Sequence, residues 1–199
     1  MIEENDWHIH ECVNALRGKY INPTDGEDIY MNLKFELEDM ENQVFEKEDF
    51  QYEVNLGDGQ FYNILADGRP YLQVETDPKR LFETSVIYSH YLLVGTYDKV
   101  YFIDLWDLRV NTYPTKVDVD MYFGYFVTTP DAVYVLDGTG IIAFNAHLNE
   151  KWKNHNLAVD GVTFEEIIDY HIMKISCEMS PPDGWVEKMI DTNTGEIIE

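Results

Sequence analysis

LLVGTYDKVYFIDL (Leu92 to Leu105) overlays YFVTTPDAVYVLDG (Tyr125 to Gly138) at a spacing of 33 residues, with Val100 on Val133, Tyr101 on Tyr134 and Asp104 on Asp137. Each half reads as a strand, a tight turn, a second strand and a polar turn opened by Asp, the way sheet blades are written. VEKMIDTNTGEII (Val186 to Ile198) gives the same order again, with Asp191 in the Asp position and a Thr-Gly turn. The predicted fold is therefore mainly β, built of antiparallel blade-like sheets in an incomplete propeller or curved sheet stack. A plain β-sandwich is the alternative.

Working outward, Ile29, Met31, Leu33, Phe35 and Leu37 alternate with Tyr30, Asn32, Lys34 and Glu36, the period-2 pattern of a half-buried strand. Phe50 to Leu56, Phe61 to Leu65 and Tyr71 to Val74 read as further strands, each ended by a Gly, Asp or Pro turn. The more apolar stretches Ser85 to Val94 and Lys99 to Leu105 are expected to be central strands covered on both faces. One helix is predicted, over about residues 5–17. Asn5 or Asp6 caps it, Ile9, Cys12, Val13 and Leu16 form its apolar stripe, and Gly18 stops it. The whole chain, residues 1–199, reads as one domain.

AVYVLDGTGIIAFNAHLNEKWK (Ala132 to Lys153) resembles the repeats of quinoprotein-type β-propellers, whose blades carry a strand ending in Asp, a Gly turn, a second strand and a late Trp, here Trp152. The resemblance covers about 60 residues and implies a blade-like architecture. It does not carry over the quinone, because nothing in the chain matches a cofactor pocket, and no cofactor is expected. NLAVDGVTFEEI (Asn156 to Ile167) followed by the segment from Cys177 to Glu196 resembles the C-terminal part of small bacterial proteins marked by a Pro-Pro-x-Gly-Trp turn, here Pro181, Pro182, Asp183, Gly184 and Trp185. That turn reads as architectural, with Trp185 covering the core.

No catalytic motif is present: there is no G-x-S-x-G, H-E-x-x-H, P-loop or G-x-G-x-x-G. His8, His10, Glu11 and Cys12 are the densest set of potential metal ligands, but Cys12 belongs to the apolar stripe, so a buried cysteine beside surface histidines is expected and no metal. The turns at Asp137 to Gly140 and Asn55 to Gly59 lack the alternating oxygen ligands of a calcium loop and read as hairpin turns. Asp118 with Asp120, or Glu165 with Glu166, would be the acid and base of a carbohydrate- or small-ligand-active enzyme, one alternative to an inhibitory binding protein; a propeller-like scaffold for protein assembly is the other.

Acidic residues outnumber basic ones by 38 to 14, for a net charge of -24. Aromatic residues at 14% are too abundant for a disordered acidic chain, so the charge belongs to a folded surface. Such a surface steers toward a basic partner and repels nucleic acid and anionic membranes. The excess is -12 over residues 1–60, -1 over 61–100 and -11 over 101–199, which marks the neutral middle as core. The start of the chain shows no secretory leader, no apolar run is long enough to span a bilayer, and two distant cysteines fit a reducing compartment, so a cytoplasmic location is expected.

The predicted partner-binding residues are Glu36, Glu38, Asp39, Glu41, Glu46, Glu48 and Asp49, on a strand, turn and second strand with aromatic anchors nearby. Asp104, Trp106 and Asp107 form a second candidate, in a turn that sets an aromatic between carboxylates. Size, acidity and the missing catalytic motif together resemble the cytoplasmic immunity proteins of bacterial polymorphic toxin and contact-dependent growth inhibition systems. That resemblance implies a non-enzymatic protein that occludes the active site of a basic toxin domain, a nuclease above all.

Overall fold

The computed structural model describes residues 33–38, 45–76, 85–96, 99–114, 123–169, 171–180 and 184–198. Among the described residues sixteen strands fall into four sheets of four. The predicted helix at 5–17, residues 29–32 of the first predicted strand, Asp39, Glu41, the Asp118 and Asp120 pair, and the His8 to Cys12 cluster all lie outside the described residues.

Sheets 2, 3 and 4 are meanders in which each strand pairs antiparallel with the next. Sheet 2 contains β5 (Ser85–Tyr88), β6 (Tyr91–Gly95), β7 (Lys99–Asp104) and β8 (Val110–Pro114). Sheet 3 contains β9 (Phe123–Thr129), β10 (Ala132–Asp137), β11 (Ile141–Asn145) and β12 (Glu150–Asn154). Sheet 4 contains β13 (Val162–Ile168), β14 (Ile172–Glu178), β15 (Trp185–Asp191) and β16 (Ile197–Ile198).

Sheet 1 breaks the pattern. It contains β1 (Phe35–Leu37), β2 (Tyr52–Asn55), β3 (Gln60–Ala66) and β4 (Arg69–Thr76) in the order β1-β3-β4-β2. After β1 the chain crosses to the far edge of the sheet, so β2 runs parallel to β4, with Tyr52 opposite Leu72 and Val54 opposite Val74. All the other strand pairs are antiparallel, which corrects the expectation of wholly antiparallel sheets. Residues 47–49 are also not part of a second strand: Lys47–Asp49 is one turn of 3-10 helix, closed by a capping box between Glu46 and Asp49.

The apolar alternation decides how the sheets meet. On sheet 2, Leu92, Val94, Tyr101 and Ile103 pack against Tyr62, Ile64, Leu72 and Val74 of sheet 1. Their neighbours Leu93, Val100 and Phe102 point the other way, onto Val133, Val135, Ile142 and Phe144 of sheet 3. Sheet 3 then turns Tyr134, Leu136, Ile141 and Ala143 onto Val162, Met173, Ile175 and Ile190 of sheet 4. Sheets 2 and 3 are thus covered on both faces, and near-continuous apolar strands such as AVYVLD follow from that. The core extends well beyond the neutral middle of the sequence, because sheets 3 and 4 hold an equal share of it. The stretch expected as one strand from Ser85 to Val94 is a hairpin, turned at Ser89, whose φ is +56°.

Tyrosine hydroxyls tie each sheet to the next. Tyr71 donates to the Leu105 carbonyl at 2.7 Å and Tyr101 to the Leu56 carbonyl at 3.4 Å, joining sheets 1 and 2. Tyr88 donates to the Pro130 carbonyl at 3.1 Å and Tyr113 to Glu150, joining sheets 2 and 3. Tyr125 accepts from the Phe164 amide, joining sheets 3 and 4. A ring buried in an intersheet seam with its hydroxyl at the rim suits tyrosine better than phenylalanine, and accounts for part of the tyrosine excess.

The turn after the third strand is the repeated feature. Asp104 Oδ1 accepts from the amides of Trp106 and Asp107, at 2.9 and 3.4 Å, while the Asp104 amide donates to the Arg109 carbonyl and Leu108 takes a φ of +58°. Asp191 repeats this with Asn193 and Thr194 at 2.7 and 3.2 Å, the Glu196 carbonyl, and Gly195 at +76°. Asn145 caps the equivalent turn, one residue shorter, with Oδ1 accepting from the His147 and Asn149 amides at 2.9 and 3.1 Å and its own amide donating to the Asn149 carbonyl. Asp137 instead ends a second strand, so the 33-residue overlay is out of register. The first strands of sheets 2, 3 and 4 begin at Ser85, Phe123 and Val162, 38 and 39 residues apart.

Candidate functional site

The second candidate cluster is brought together at one end of sheet 2. Register pairs Tyr91 with Asp104 across β6 and β7, and the Leu105 amide donates to the His90 carbonyl at 2.8 Å. The β5-β6 turn and the β7-β8 turn therefore lie side by side. His90 stacks flat on Trp106, with ring centroids 3.7 Å apart and planes 1° from parallel, and its ring centroid lies 4.1 Å from that of Tyr91. His90 Nε2 lies 3.7 Å from Asp104 Oδ2. Trp106 is 43% exposed, so part of its side chain remains open to a ligand.

The carboxylates here are partly committed to structure. Asp104 caps the turn through Oδ1, and Asp107 accepts from the Arg109 amide at 2.9 Å and pairs with the Arg109 guanidinium. Burial pushes the His90 imidazole below its ordinary value, opposed by the nearby charges of Asp104 and Asp107. The ring is therefore neutral near pH 7. Burial likewise raises the Tyr91 phenol. What the arrangement offers chemically is a rigid exposed indole with carboxylates around it, suited to the cation and aliphatic stem of Lys or Arg.

The sequence pattern singles out Asp104, Trp106 and Asp107 but not His90, Tyr91 or Arg109, which the fold sets beside them. Arg109 closes the same turn and was within reach of the sequence. His90 was not, because its place depends on the pairing of β6 with β7.

The first candidate region separates into different roles. Glu36 is half-exposed on β1 and pairs with Lys34. Glu38 accepts from Asn63 Nδ2 at 2.8 Å, and Asn63 Oδ1 accepts from Gln73 Nε2 at 2.9 Å, with Asn63 and Gln73 both buried. Glu38 thus ends an interior polar ladder. Glu46 and Asp49 close the capping box, while Glu48 is exposed without a structural task in the turn.

Of the described acidic residues only Asp137 is buried. Its Oδ1 accepts from the Thr139 and Gly140 amides at 2.8 and 2.6 Å, and its Oδ2 lies 3.5 Å from His155 Nδ1. Burial pushes this carboxyl up, but the bonds from His155, Thr139 and Gly140 outweigh burial and hold it below the ordinary range. The hairpin reading of this turn stands.

Glu165 and Glu166 are exposed neighbours at a bulge in β13. Trp185 does not cover the core. It is 54% exposed on the outer face of sheet 4, and its ring lies over Gly161. Cys177 is a buried free thiol. Among the described residues no three His, Cys, Asp or Glu side chains are grouped to hold a metal, and no helix is long and apolar enough to cross a membrane. No protein-family model matches this chain, and no curated protein matches it.

Proposed function

We propose that this protein is a non-enzymatic immunity protein that binds a basic toxin domain, a nuclease above all, and occludes its active site through electrostatically steered docking. One observation carries the reading: among the described residues Asp137 is the only buried carboxylate, while the apolar faces of successive sheets are turned on one another. The surplus charge therefore faces a partner, and self-repulsion is the cost of displaying it. Trp106, held flat on His90 between Asp104 and Asp107, supplies an anchor that loses little freedom on binding.

The four sheets would then serve as a propeller-like scaffold that does not close into a ring. The lateral contacts of β1 with β5 and of β5 with β9 support this, since first strands lie side by side near the axis of blade architectures. In this role the protein works in the cytoplasm, where such a toxin acts.

The test is whether a basic protein is encoded immediately beside this chain's gene and associates with this chain. Stoichiometric binding that inhibits that protein, with an association rate falling steeply as salt rises, is the expected result, because steering is screened beyond about 8 Å at physiological ionic strength. Absence of inhibition, or an association rate indifferent to salt, overturns the proposal.

A further inference from the structure

The imidazole of His90 backs the indole that serves as the anchor for docking. The β5-β6 turn carries it there, since Tyr91 pairs with Asp104 and the Leu105 amide donates to the His90 carbonyl. With ring centroids 3.7 Å apart and planes 1° from parallel, the imidazole covers one face of Trp106. A cation drawn to the indole must therefore come to the side away from His90. Trp106 is 43% exposed, so part of the side chain is free to meet one.

Histidine is the side chain whose ordinary titration falls between pH 5 and 8, so the ring behind the indole is one that changes charge. Among the described residues the charges that bear on it are those of Asp104 on β7 and Asp107 in the β7-β8 turn, with Tyr91 of β6 against its ring and Ser89 Oγ 3.2 Å from its Nδ1. Asp107 is already paired with Arg109, and Asp104 Oδ1 is taken by the turn amides. The oxygen left to Asp104 is Oδ2, 3.7 Å from His90 Nε2. Burial holds the imidazole below its ordinary value of 6.5, against the pull of Asp104 and Asp107, so it is neutral at pH 7 and takes its proton only in acid. That proton puts a cation behind the indole and draws Asp104 Oδ2 to His90.

We infer that His90 sets the charge preference of the Trp106 anchor: backed by a neutral imidazole the indole takes a Lys or Arg side chain of the partner, and backed by an imidazolium it does not. A cation about 4–6 Å from the indole centroid stands roughly 8–10 Å from the imidazolium, close enough for like-charge repulsion to weaken binding about 5–10-fold. This rests on the reading of Trp106 as the anchor for a basic protein, and adds to it the residue that controls the anchor.

Two measurements on the full chain test this. An imidazolium stacked on an indole quenches its emission, so the tryptophan fluorescence of the native chain should fall as pH drops from 7.5 to 5.0, with a midpoint below 6.5. His90→Phe and Trp106→Phe should both lack that component, the other three tryptophans giving the background. The binding probe is a deca-arginine peptide, whose own charge is constant over this range. Between pH 7.5 and 5.0 its Kd should rise about 5–10-fold more for the native chain than for His90→Phe or His90→Gln, and Trp106→Ala should show no such excess. Emission that stays constant, equal losses of affinity by the native chain and both His90 variants, or the same excess in Trp106→Ala each overturn the inference. If the excess is missing while the neighbouring basic protein still binds and is inhibited, only this inference falls. If the excess appears and that protein does not bind, the immunity reading falls and the control by His90 stands.

Discussion

Gly195 lies against the face of the Trp152 indole, so close that a Cβ at position 195 would sit 2.6 Å from Trp152 Cδ2 and 3.0 Å from Cζ3. The ring is fixed from its other end, where Nε1 donates to the Thr192 carbonyl at 2.9 Å, and Asn154 Nδ2 donates to the Gly195 carbonyl at the same distance. The turn of sheet 4 is thereby clamped onto β12 of sheet 3. Gly195→Ala should lower unfolding stability by about 2–4 kcal/mol, from the clash and from the φ of +76° together. Denaturant unfolding checks this, and an unchanged midpoint would mean that Trp152 gives way freely.

Asp137 makes a pH prediction. Its carboxyl is held below the ordinary value of 3.8, so the stability it contributes is present above 3.8 and is lost as pH falls through its lower folded value. Asp137→Asn should reduce stability at neutral pH by about 1–3 kcal/mol, through loss of a charge-assisted acceptor for two buried amides. It should also flatten the acid limb of the stability curve in that window. Unfolding curves measured from pH 2 to 7 on both chains distinguish this from a general loss of packing, which would shift the curve without changing its slope.

How much was legible in the sequence depended on how local each feature was. Alternation over LKFEL and the Asp-Gly turn at Asp67 and Gly68 announced strands and a hairpin, since both signals sit within a few residues. Asp104 and Asp191 were visible as turn openers for the same reason. The correct repeat register was not, because Asn145 replaces Asp in the equivalent turn of sheet 3, while Asp137 supplies a matching Asp one strand too early. The parallel position of β2 was illegible, since nothing in Tyr52–Asn55 states which edge of the sheet it joins. Trp185 lies on the outer face rather than over the core, and its alternation with Val186 does not say which face meets sheet 3.

The His90 stack predicts a second pH effect of the same sign. Burial lowers the folded pKa of His90 below 6.5, so the unfolded chain binds the proton more tightly, and stability falls as pH drops from 6.5 toward the folded value. His90→Phe should remove that dependence while keeping a ring beneath Trp106. Trp106→Ala should cost about 1 kcal/mol of stability, the scale of one aromatic pair. On a basic partner it should cost 2 kcal/mol or more, about thirtyfold in Kd, if Trp106 is the anchor. Equal binding by the native chain and Trp106→Ala would move the contact elsewhere.

Charge reversal must avoid carboxylates that hold the fold. Glu38 is unsuitable, because it receives the buried Asn63 amide and its replacement by Lys would strand that donor beside a like-signed group. Glu46 and Asp49 are unsuitable too, since they close a capping box. Glu36, Glu48 and Glu53 are at the surface, and their ion pairs among the described residues, Glu36 with Lys34 and Glu53 with Lys47, are solvent-exposed. Such pairs contribute about 0–1 kcal/mol each. Reversing Glu36, Glu48 and Glu53 to Lys should therefore leave unfolding within about 1–2 kcal/mol of the native chain while slowing association with a basic protein about tenfold at low salt. The two association rates should converge as salt is raised, because screening removes the steering that the reversal spoils. Stopped-flow rates across a salt series check this, and a constant ratio at all salt concentrations would show that these residues touch the partner rather than steer it.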